Sequence, residues 1–484
     1  MSKGKVYLVG AGPGDIGLIT VKGKEAIQKA EVILYDRLAN PKLLEFAQAN
    51  CEFIYCGKLP NRHVLRQEVI NELLVKKALE GKSVVRLKGG DPGVFGRVGE
   101  EAEVLHHHQI PFEIVPGISS GIAAPLYAGI PVTHRKFGES FAVVTAHDQT
   151  KEGKSRLEWQ GLAHGIETIA FYMGIANLPY ICENLINNGK SADTPVILIQ
   201  WGTFGRQKTL EGTLATITKK VEAEKFTNPA ITLVGNIVSL REKISWFEKK
   251  PLYGRQIILA RTGIKSSNLA KSLMDQGADV IEFPKWKKNT FAIDQNILSM
   301  IDTYDRILFT SDEAVEEFFE QLFEVGMDVR KIKAVFYGCS SKSIKALKQK
   351  GFAAAHEQQM QPDGSLLIVG PEGVNPSFDD KYGNFDFLQT SEKWIDEQFI
   401  PIFQRMVSEA ELNTVIFPSS ASVEIFYQTV LSQGLISEDK FAELEVVCMG
   451  EKTWETAVRF GLNPGRMPVR PTNDAIVESL SSSF

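Results

Sequence analysis

An aspartate and an arginine stand at the end of an apolar run near the start of the chain. The run from Val32 to Tyr35 is followed directly by Asp36 and Arg37. A carboxylate can take up a proton, and a guanidinium can bind other carboxylates through paired N–H groups. Because ligands of open α/β folds bind at the carboxyl ends of parallel strands, we expect this pair to face an active cleft.

Two other apolar runs each lead into a glycine-containing turn. Residues 6–9 lead into Gly10, Gly12, Pro13 and Gly14, and residues 83–88 lead into Gly89, Gly90 and Asp91. The first turn lacks the GxGxxG spacing of a dinucleotide site, and Pro13 removes a backbone donor. The turn is therefore better suited to pack against a flat, uncharged group than to bind a phosphate through backbone amides. A plain tight turn could use the same residues. Glycines at the second turn would let a ligand approach the backbone, and Asp91 could accept hydrogen bonds from hydroxyls or an amine.

A third turn, residues 116–120, contains Ser119 and Ser120 and opens a helix of small residues. These serines could be ordinary helix caps, or the helix could lie against a ligand. The nearby histidines at 106–108 do not predict a metal site, because consecutive helical residues point about 100° apart.

The elements that position these turns alternate between strands and helices. Strands near residues 6, 32, 84 and 112 with intervening helical patterns predict a parallel sheet. A second set of β-rich segments begins at Phe141 and ends near Val234. The fold class is therefore predicted as α/β, with a ligand cleft between two α/β units.

The order and spacing of six motifs resemble one family. The motifs are VYLVGAGPGD, YDRL, VVRLKGGDP with VFGR, VPGISS with GIPVTHR, FYMG, and NPAITLVG. The segment from residue 3 to about 245 is similar to the uroporphyrinogen-III C-methyltransferases, in the tetrapyrrole methyltransferase group. The resemblance implies a two-unit tetrapyrrole methyltransferase fold. It also implies S-adenosyl-L-methionine as cofactor, methylation of uroporphyrinogen III at C-2 and C-7 to precorrin-2, and a homodimer formed through this half.

The resemblance also assigns roles to residues. Asp36 matches the proposed base of the family and Lys58 its proposed acid. The positions that match cofactor contacts are Pro13, Gly89, Gly90, Asp91, Val94, Ser119, Ser120, Met173, Gly202 and Ala230. Since uroporphyrinogen carries many carboxylates, basic residues near the cleft are candidates for substrate binding. These are Arg37, Arg62, Arg66, Arg97 and Arg135.

The second half of the chain repeats itself at an offset of about 110 residues. LFTSDEAVEEFF at Leu308 returns as IFPSSASVEIFY at Ile416, which predicts two similar α/β lobes. Helix starts with hydroxyls can hold carboxylates without net positive charge, although many such residues are plain caps. The candidates are Thr310, Ser311, Ser419, Ser420 and Thr453.

Residues 254 to 484 resemble uroporphyrinogen-III synthase. The resemblance implies a bilobed flavodoxin-like fold that closes hydroxymethylbilane to uroporphyrinogen III. Together, the two resemblances imply a bifunctional enzyme in the biosynthesis of sirohaem or cobalamin. Two alternatives stay open: a back half that binds tetrapyrroles without catalysis, and a ligand-sensing protein without chemistry.

The composition of the chain argues against several classes of protein. The 484 residues are 43% hydrophobic and 23% charged, with a net charge of −5. This balance predicts no general attraction to nucleic acid, and no apolar stretch approaches a membrane span. The five scattered cysteines without a CxxC pair predict no disulfide framework and no zinc site, and they favour the cytoplasm.

The predicted domains follow from these boundaries. They are a methyltransferase at 1–245 (subdomains about 1–136 and 137–245), a linker at 246–253, and a synthase-like part at 254–484 with lobes of about 254–289 plus 397–484 and 290–396.

Overall fold

A computed structural model describes residues 3–57, 66–145, 157–264, 266–371 and 377–481. The chain divides into two compact units. The first unit contains residues 1–261, 266–283 and 400–484, and the second contains residues 262–265 and 284–399. No helix within the described ranges is long and apolar enough to cross a membrane.

The first sheet is parallel throughout. Its elements are β1 (Val6–Gly10), α1 (Val21–Gln28), β2 (Val32–Tyr35), β3 (Glu52–Tyr55), α2 (Gln67–Leu79), β4 (Val84–Lys88), α3 (Val98–His107), β5 (Phe112–Val115) and α4 (Ser120–Tyr127). The strand order is β3-β2-β4-β1-β5. Strands β1, β2 and β4 are almost wholly buried, which explains why they read as continuous apolar runs.

The second sheet is mixed. Its elements are β6 (Phe141–Thr145), α5 (Trp159–Gly165), β7 (Thr168–Tyr172), α6 (Leu178–Asn187), β8 (Pro195–Gln200), β9 (Lys208–Thr213), α7 (Ile217–Ala223), β10 (Ala230–Val234) and α8 (Arg241–Ile244). In the order β6-β7-β10-β8-β9, only β6 and β7 pair in parallel. Sequence reasoning did not identify β9, because this partly exposed strand reads KTLEGT and has no apolar run.

The remaining elements are β11 (Gln256–Ala260), α9 (Asn268–Asp275), β12 (Asp279–Phe283), β13 (Trp286–Thr290), α10 (Gln295–Ser299), β14 (Arg306–Phe309), α11 (Asp312–Glu324), β15 (Val335–Gly338), α12 (Ser341–Gln349), β16 (Ala354–His356), β17 (Leu366–Gly370), α13 (Ser377–Tyr382), β18 (Asp386–Gln389), β19 (Ser391–Ile395), α14 (Phe399–Glu409), β20 (Thr414–Phe417), α15 (Ser420–Phe426), α16 (Glu438–Ala442), β21 (Glu445–Cys448), α17 (Glu451–Arg459), β22 (Pro464–Arg466) and α18 (Asn473–Ser481).

These elements form two further five-stranded parallel sheets. The sheet in the first unit has the order β12-β11-β20-β21-β22, which is the 2-1-3-4-5 order of flavodoxin-like folds. The sheet in the second unit has the order β16-β15-β14-β17-β18, and β13 pairs there with β19. The predicted α/β class with two lobes in the back half is confirmed. The domain boundaries given above stay a prediction.

Candidate active site

Three loops meet at the carboxyl edge of the first sheet. Gly12 and Gly90 exchange backbone hydrogen bonds of 3.1 and 2.7 Å, which joins the loops after β1 and β4. A Cβ atom on Gly10 would lie 2.6 Å from the backbone nitrogen of Gly117, in the loop after β5. Only glycine allows this approach, so the structure brings together the turns that contain Pro13, Gly89 and Ser119.

Asp91 holds two of these loops in place. Its Oδ2 accepts a 2.9 Å hydrogen bond from the Gly117 amide, and its Oδ1 accepts a 2.7 Å bond from the Gly93 amide. The Val94 amide donates to the Asp91 carbonyl at 3.2 Å. The carboxylate therefore organises the loops, and any ligand contact must use its remaining lone pairs.

The space beside the Cα atom of Gly90 is open at this edge. It has a φ of +70°, and a Cβ atom there would meet only the Ser120 nitrogen, at 3.8 Å. Ser119 and Ser120 begin α4, and the Ser119 hydroxyl lies 2.5 Å from the Tyr172 hydroxyl. The Gly121 amide donates to the same Tyr172 oxygen at 2.5 Å. The helix start thus lies against the end of β7 on the second sheet.

The strand ends of the second sheet carry unusual backbone. Met173, Trp201 and Thr203 have φ values of 54°, 48° and 74°, in the left-handed region that non-glycine residues seldom adopt. Met173 is also 48% exposed. Gly202 lies between Trp201 and Thr203, and a Cβ atom on it would lie 2.3 Å from the Ala124 side chain. Such strain clusters at ligand sites, and it is found here at the predicted cofactor position Met173 and on both sides of another, Gly202.

A further hydrogen bond joins a loop of the first sheet to a loop of the second. The Asp15 amide, after β1, donates to the Thr203 hydroxyl, after β8, at 2.9 Å. Ala230, the last predicted cofactor position, begins β10 and pairs with Gln200 at the end of β8. The predicted cofactor residues therefore line the two facing sheet edges of one compact unit.

Asp36 belongs to a buried network of charges. Its Oδ1 accepts a 2.6 Å bond from Arg86, whose Nε donates to Glu101 at 3.1 Å. Lys88 donates to the same Glu101 oxygen at 2.7 Å. Arg86 is 2% exposed and Glu101 is fully buried, whereas Asp36 is 31% exposed at the side-chain level. The network thus ends in a carboxylate that is partly exposed to solvent, and its Oδ2 has no hydrogen bond within the described residues.

Burial and the charges of this network shift the pKa values of Arg86, Lys88 and the neighbouring Cys56. Burial alone would lower the pKa of Arg86, but the charges of Asp36 and Glu101 outweigh burial and raise it. Burial and then repulsion by Arg86 lower the pKa of Lys88. Burial raises the pKa of Cys56 to about 11. Arg86 therefore stays cationic and holds Asp36 in one orientation.

Within the described residues, the side chains of the other basic candidates pair with neither Asp36 nor Glu101. Arg37 donates to Glu409 at 2.8 Å, and Arg97 pairs with Glu100 at 2.5 Å. Arg66 is exposed just before α2, and Arg135 is exposed in the loop after α4. Lys58 and Arg62 lie outside the described residues, so their predicted roles stay predictions. Of the five arginines, the structure places Arg37 directly beside Asp36.

Sequence reasoning missed Arg86, Glu101 and Tyr172 as site residues. Arg86 and Lys88 lie two residues apart in the buried strand β4. Because a buried charge is costly unless it is paired, a charged residue in such a strand indicates a buried partner. Nothing in the helical pattern of α3 distinguishes Glu101 from its exposed neighbour Glu103. No group of three His, Cys, Asp or Glu side chains suited to a metal ion occurs among the described residues.

The hydroxyl candidates of the back half bond mainly to backbone. Ser311 caps α11 by accepting from the Ala314 amide at 3.0 Å, and Ser419 caps α15 within a capping box. Thr310 donates to the Val369 carbonyl at 3.4 Å, and Ser420 to the Lys452 carbonyl at 3.0 Å. Thr453 is 6% exposed within α17. Each of these residues follows a strand of a parallel sheet, as predicted, but its side chain is hydrogen-bonded to backbone or buried.

Comparison with known proteins gives two family matches and several similar sequences. Residues 5–218 match the tetrapyrrole (corrin/porphyrin) methylases, and residues 267–370 and 389–478 match uroporphyrinogen-III synthase HemD. The chain is 50% identical to a uroporphyrinogen-III C-methyltransferase of Bacillus subtilis, over 93% of this chain and 92% of that protein. It is 36% identical to the porphyrin biosynthesis protein HemD of Ruminiclostridium josui, over 96% of this chain and 95% of that protein.

A solved structure also resembles the first half. It is the uroporphyrin-III C-methyltransferase of Thermus thermophilus in complex with S-adenosyl homocysteine, at 34% identity and a TM-score of 0.41. The match covers 49% of this chain and all of that one.

Proposed function

The chain belongs to the uroporphyrinogen-III C-methyltransferase family, and we propose that the loops around Gly12, Gly90 and Ser119 form its S-adenosylmethionine site. The chain is a bifunctional tetrapyrrole enzyme. Its front half methylates uroporphyrinogen III at C-2 and C-7 to precorrin-2, on the way to sirohaem or cobalamin. Its back half cyclises hydroxymethylbilane to uroporphyrinogen III.

The observation that supports the cofactor site is the open backbone at Gly90. A Cβ atom there would meet nothing closer than the Ser120 nitrogen, at 3.8 Å, so the space beside Gly90 is open. The exposed Met173 and the left-handed backbone around Gly202 lie at the facing edge. When bound, S-adenosylmethionine supplies a methyl group already activated on a sulfonium. The residues present therefore need mainly to align a pyrrole carbon with that methyl group.

We assign Asp36 the role of proton acceptor. Methylation of a pyrrole carbon leaves a cationic ring from which a proton must depart. The Arg86 guanidinium holds Oδ1 of Asp36 at 2.6 Å, which leaves Oδ2 to face the substrate. Lys58 keeps its proposed role as proton donor.

The coupled activity is tested with the purified full chain. Incubation with hydroxymethylbilane and S-adenosylmethionine should give a dimethylated chromophore, and S-adenosylhomocysteine should bind in a calorimeter. In the absence of S-adenosylmethionine, separation of isomers should show uroporphyrinogen III. If only the non-inverted type I isomer formed, the back half would be a binding module without synthase activity.

For the back half, we propose that the start of α11 in the second unit and the start of α15 in the first unit are each, taken separately, a binding place for a substrate carboxylate. The support is the pair of serine-capped helix starts, each of which offers backbone donors at the carboxyl edge of a parallel sheet. The assignment includes Thr310, Ser311, Ser419 and Ser420, with Thr453 as a further candidate.

The proposed homodimer uses the first half. Ile122 and Leu126 stand four residues apart on α4 and are 42% and 46% exposed, and Ile118, which precedes the helix, is 36% exposed. Side chains at this spacing lie on one helical face, so they form an apolar stripe suited to a second copy. Sedimentation should show a dimer, and Ile122→Glu should dissociate it. We also place the enzyme in the cytoplasm, consistent with five free cysteines.

A further inference from the structure

The predicted substrate-binding residue Arg37 faces carboxylates from the back half of the chain. Within the first compact unit, Arg37 Nε lies 2.8 Å from Oε1 of Glu409, at the end of α14. Lys208 Nζ lies 2.7 Å from both carboxylate oxygens of Glu411. A cavity of about 200 Å³ opens between these pairs. We call it the junction pocket; its lining includes Arg37, Trp201, Arg206, Lys208, Glu409 and Glu411.

The cations on the methyltransferase side are held in different ways. The Arg206 guanidinium lies 4.1 Å from the centre of the Trp201 ring, and its side chain is only 10% exposed. Arg206 also faces Asp279, with Nε 3.4 Å from a carboxylate oxygen. Stacking and burial fix this side chain. Arg37 and Lys208 are 46% and 51% exposed, so each can change partners.

The two ion pairs contribute little to holding the halves together. The cation of each pair is about half exposed, at 46% for Arg37 and 51% for Lys208, and water screens it, although Glu409 itself is 15% exposed. A separate contact fixes α14 beside β2: the Arg405 guanidinium lies 5.5 Å from the Tyr35 ring centre and 4.5 Å from that of Tyr55. Removal of Glu409 and Glu411 should therefore leave the packing of α14 intact.

We propose that the junction pocket binds side-chain carboxylates of the tetrapyrrole substrate, and that Glu409 and Glu411 compete with them for Arg37 and Lys208. This inference rests on the proposed methyltransferase function. Arg37 follows Asp36 directly, so a carboxylate bound by Arg37 would tether a pyrrole close to the proton acceptor. The synthase half thereby lowers the affinity of the methyltransferase half for its polyanionic substrate. Binding exchanges one carboxylate for another at each cation, so no covalent step is involved.

The test compares the full-length E409Q/E411Q variant with the wild type. Binding of uroporphyrin III, a stable octacarboxylate, is measured by its fluorescence at low salt. We expect the double variant to bind about 5-fold more tightly, and the difference should shrink as salt is added. The KM for uroporphyrinogen III should fall by a similar factor. The matched control is E438Q/D439N, which removes two exposed charges on α16 and should leave binding unchanged.

A second variant separates competition from a structural effect. R37Q should weaken porphyrin binding, and E409Q should then no longer tighten it, because the two residues act on the same contact. Unchanged or weaker binding in E409Q/E411Q, or equal tightening in the control, would overturn the proposal. The two proposals fail in different measurements. A wild-type enzyme that transferred no methyl group would contradict the proposed function, whereas the porphyrin-binding measurements test the junction pocket independently of turnover.

Discussion

The carboxyl edge of the first sheet differs from the edges of the two sheets in the back half, although all three are built from strands that run into helix starts. At the first edge, glycines let backbones approach each other, and buried charges converge on Asp36. In the back half, Ser311 and Ser419 bond to amides of their own helices. In the proposed function, the first edge uses side chains for proton transfer, whereas the other edges use capped helix starts for binding. The same strand-to-helix pattern would then serve both roles, and the buried charged partners of Asp36 distinguish the first edge.

The largest expected effect tests whether the first edge performs acid–base chemistry. Asp36→Asn should lower kcat for methyl transfer by about 10²- to 10⁴-fold, because the amide cannot accept the ring proton. Binding of S-adenosylhomocysteine should be retained. The measurement is chromatography of methylated products, with the exposed Asp193→Asn as control. A rate equal to that of the wild type would remove the base assignment and much of the contrast between the edges.

The next effect concerns the buried charges that distinguish the first edge. Glu101→Gln should lower the free energy of unfolding by about 3 kcal/mol, because Arg86 and Lys88 would stay buried with one carboxylate fewer. Calorimetry of the full chain should show a melting temperature roughly 3–5 °C lower. Glu103→Gln on the exposed face of α3 is the matched control. Equal melting temperatures for the two variants would show that the network adds no stability.

A smaller effect sharpens the account of the back half. Ser311→Ala and Ser419→Ala should each lower the free energy of unfolding by about 1 kcal/mol, because each removes a cap. Ser311→Asp should restore the cap and yet raise the KM for hydroxymethylbilane, since a negative charge would then repel the substrate carboxylates. Chemical denaturation and the cyclisation assay measure the two properties separately. A KM that the aspartate left unaltered would argue against carboxylate binding at this helix start.

The smallest effect is a pH dependence that comes from the first edge. Because burial raises the pKa of Cys56 to about 11 from its ordinary 9.0, the folded state retains this proton longer than the unfolded chain. The stability due to the neutral thiol is complete well below pH 9, starts to decrease as the pH approaches 9, and continues to decrease towards pH 11. Between pH 8 and 9 the loss should be about 0.4 kcal/mol. Melting curves at both pH values should show a weaker pH dependence in Cys56→Ala, and identical dependences would contradict the assignment.

Much of the site could be predicted from residue order alone. The turns at Gly12, Gly90 and Ser119 follow strands of one sheet, and parallel strands bring their carboxyl ends to one edge. The strand β9 was not predictable in this way, because its polar sequence lacks the period of a half-buried strand. The partner of Asp36 was also missed. Arg86 lies 50 residues away in sequence and reaches Asp36 only because β2 and β4 are neighbours.

The sequence by itself determined the α/β class, the division into a methyltransferase half and a synthase-like half, and the glycine and serine turns that follow the strands of the first sheet. These properties follow from local patterns of apolar residues, glycines and motifs, which any chain with this order would retain. Only the tertiary structure decided that Glu101 is buried between two cations, that Asp91 joins two loops, and that Glu409 faces Arg37. The physical reason is that a charge acts through its neighbours in space, and those neighbours are set by strand order and packing.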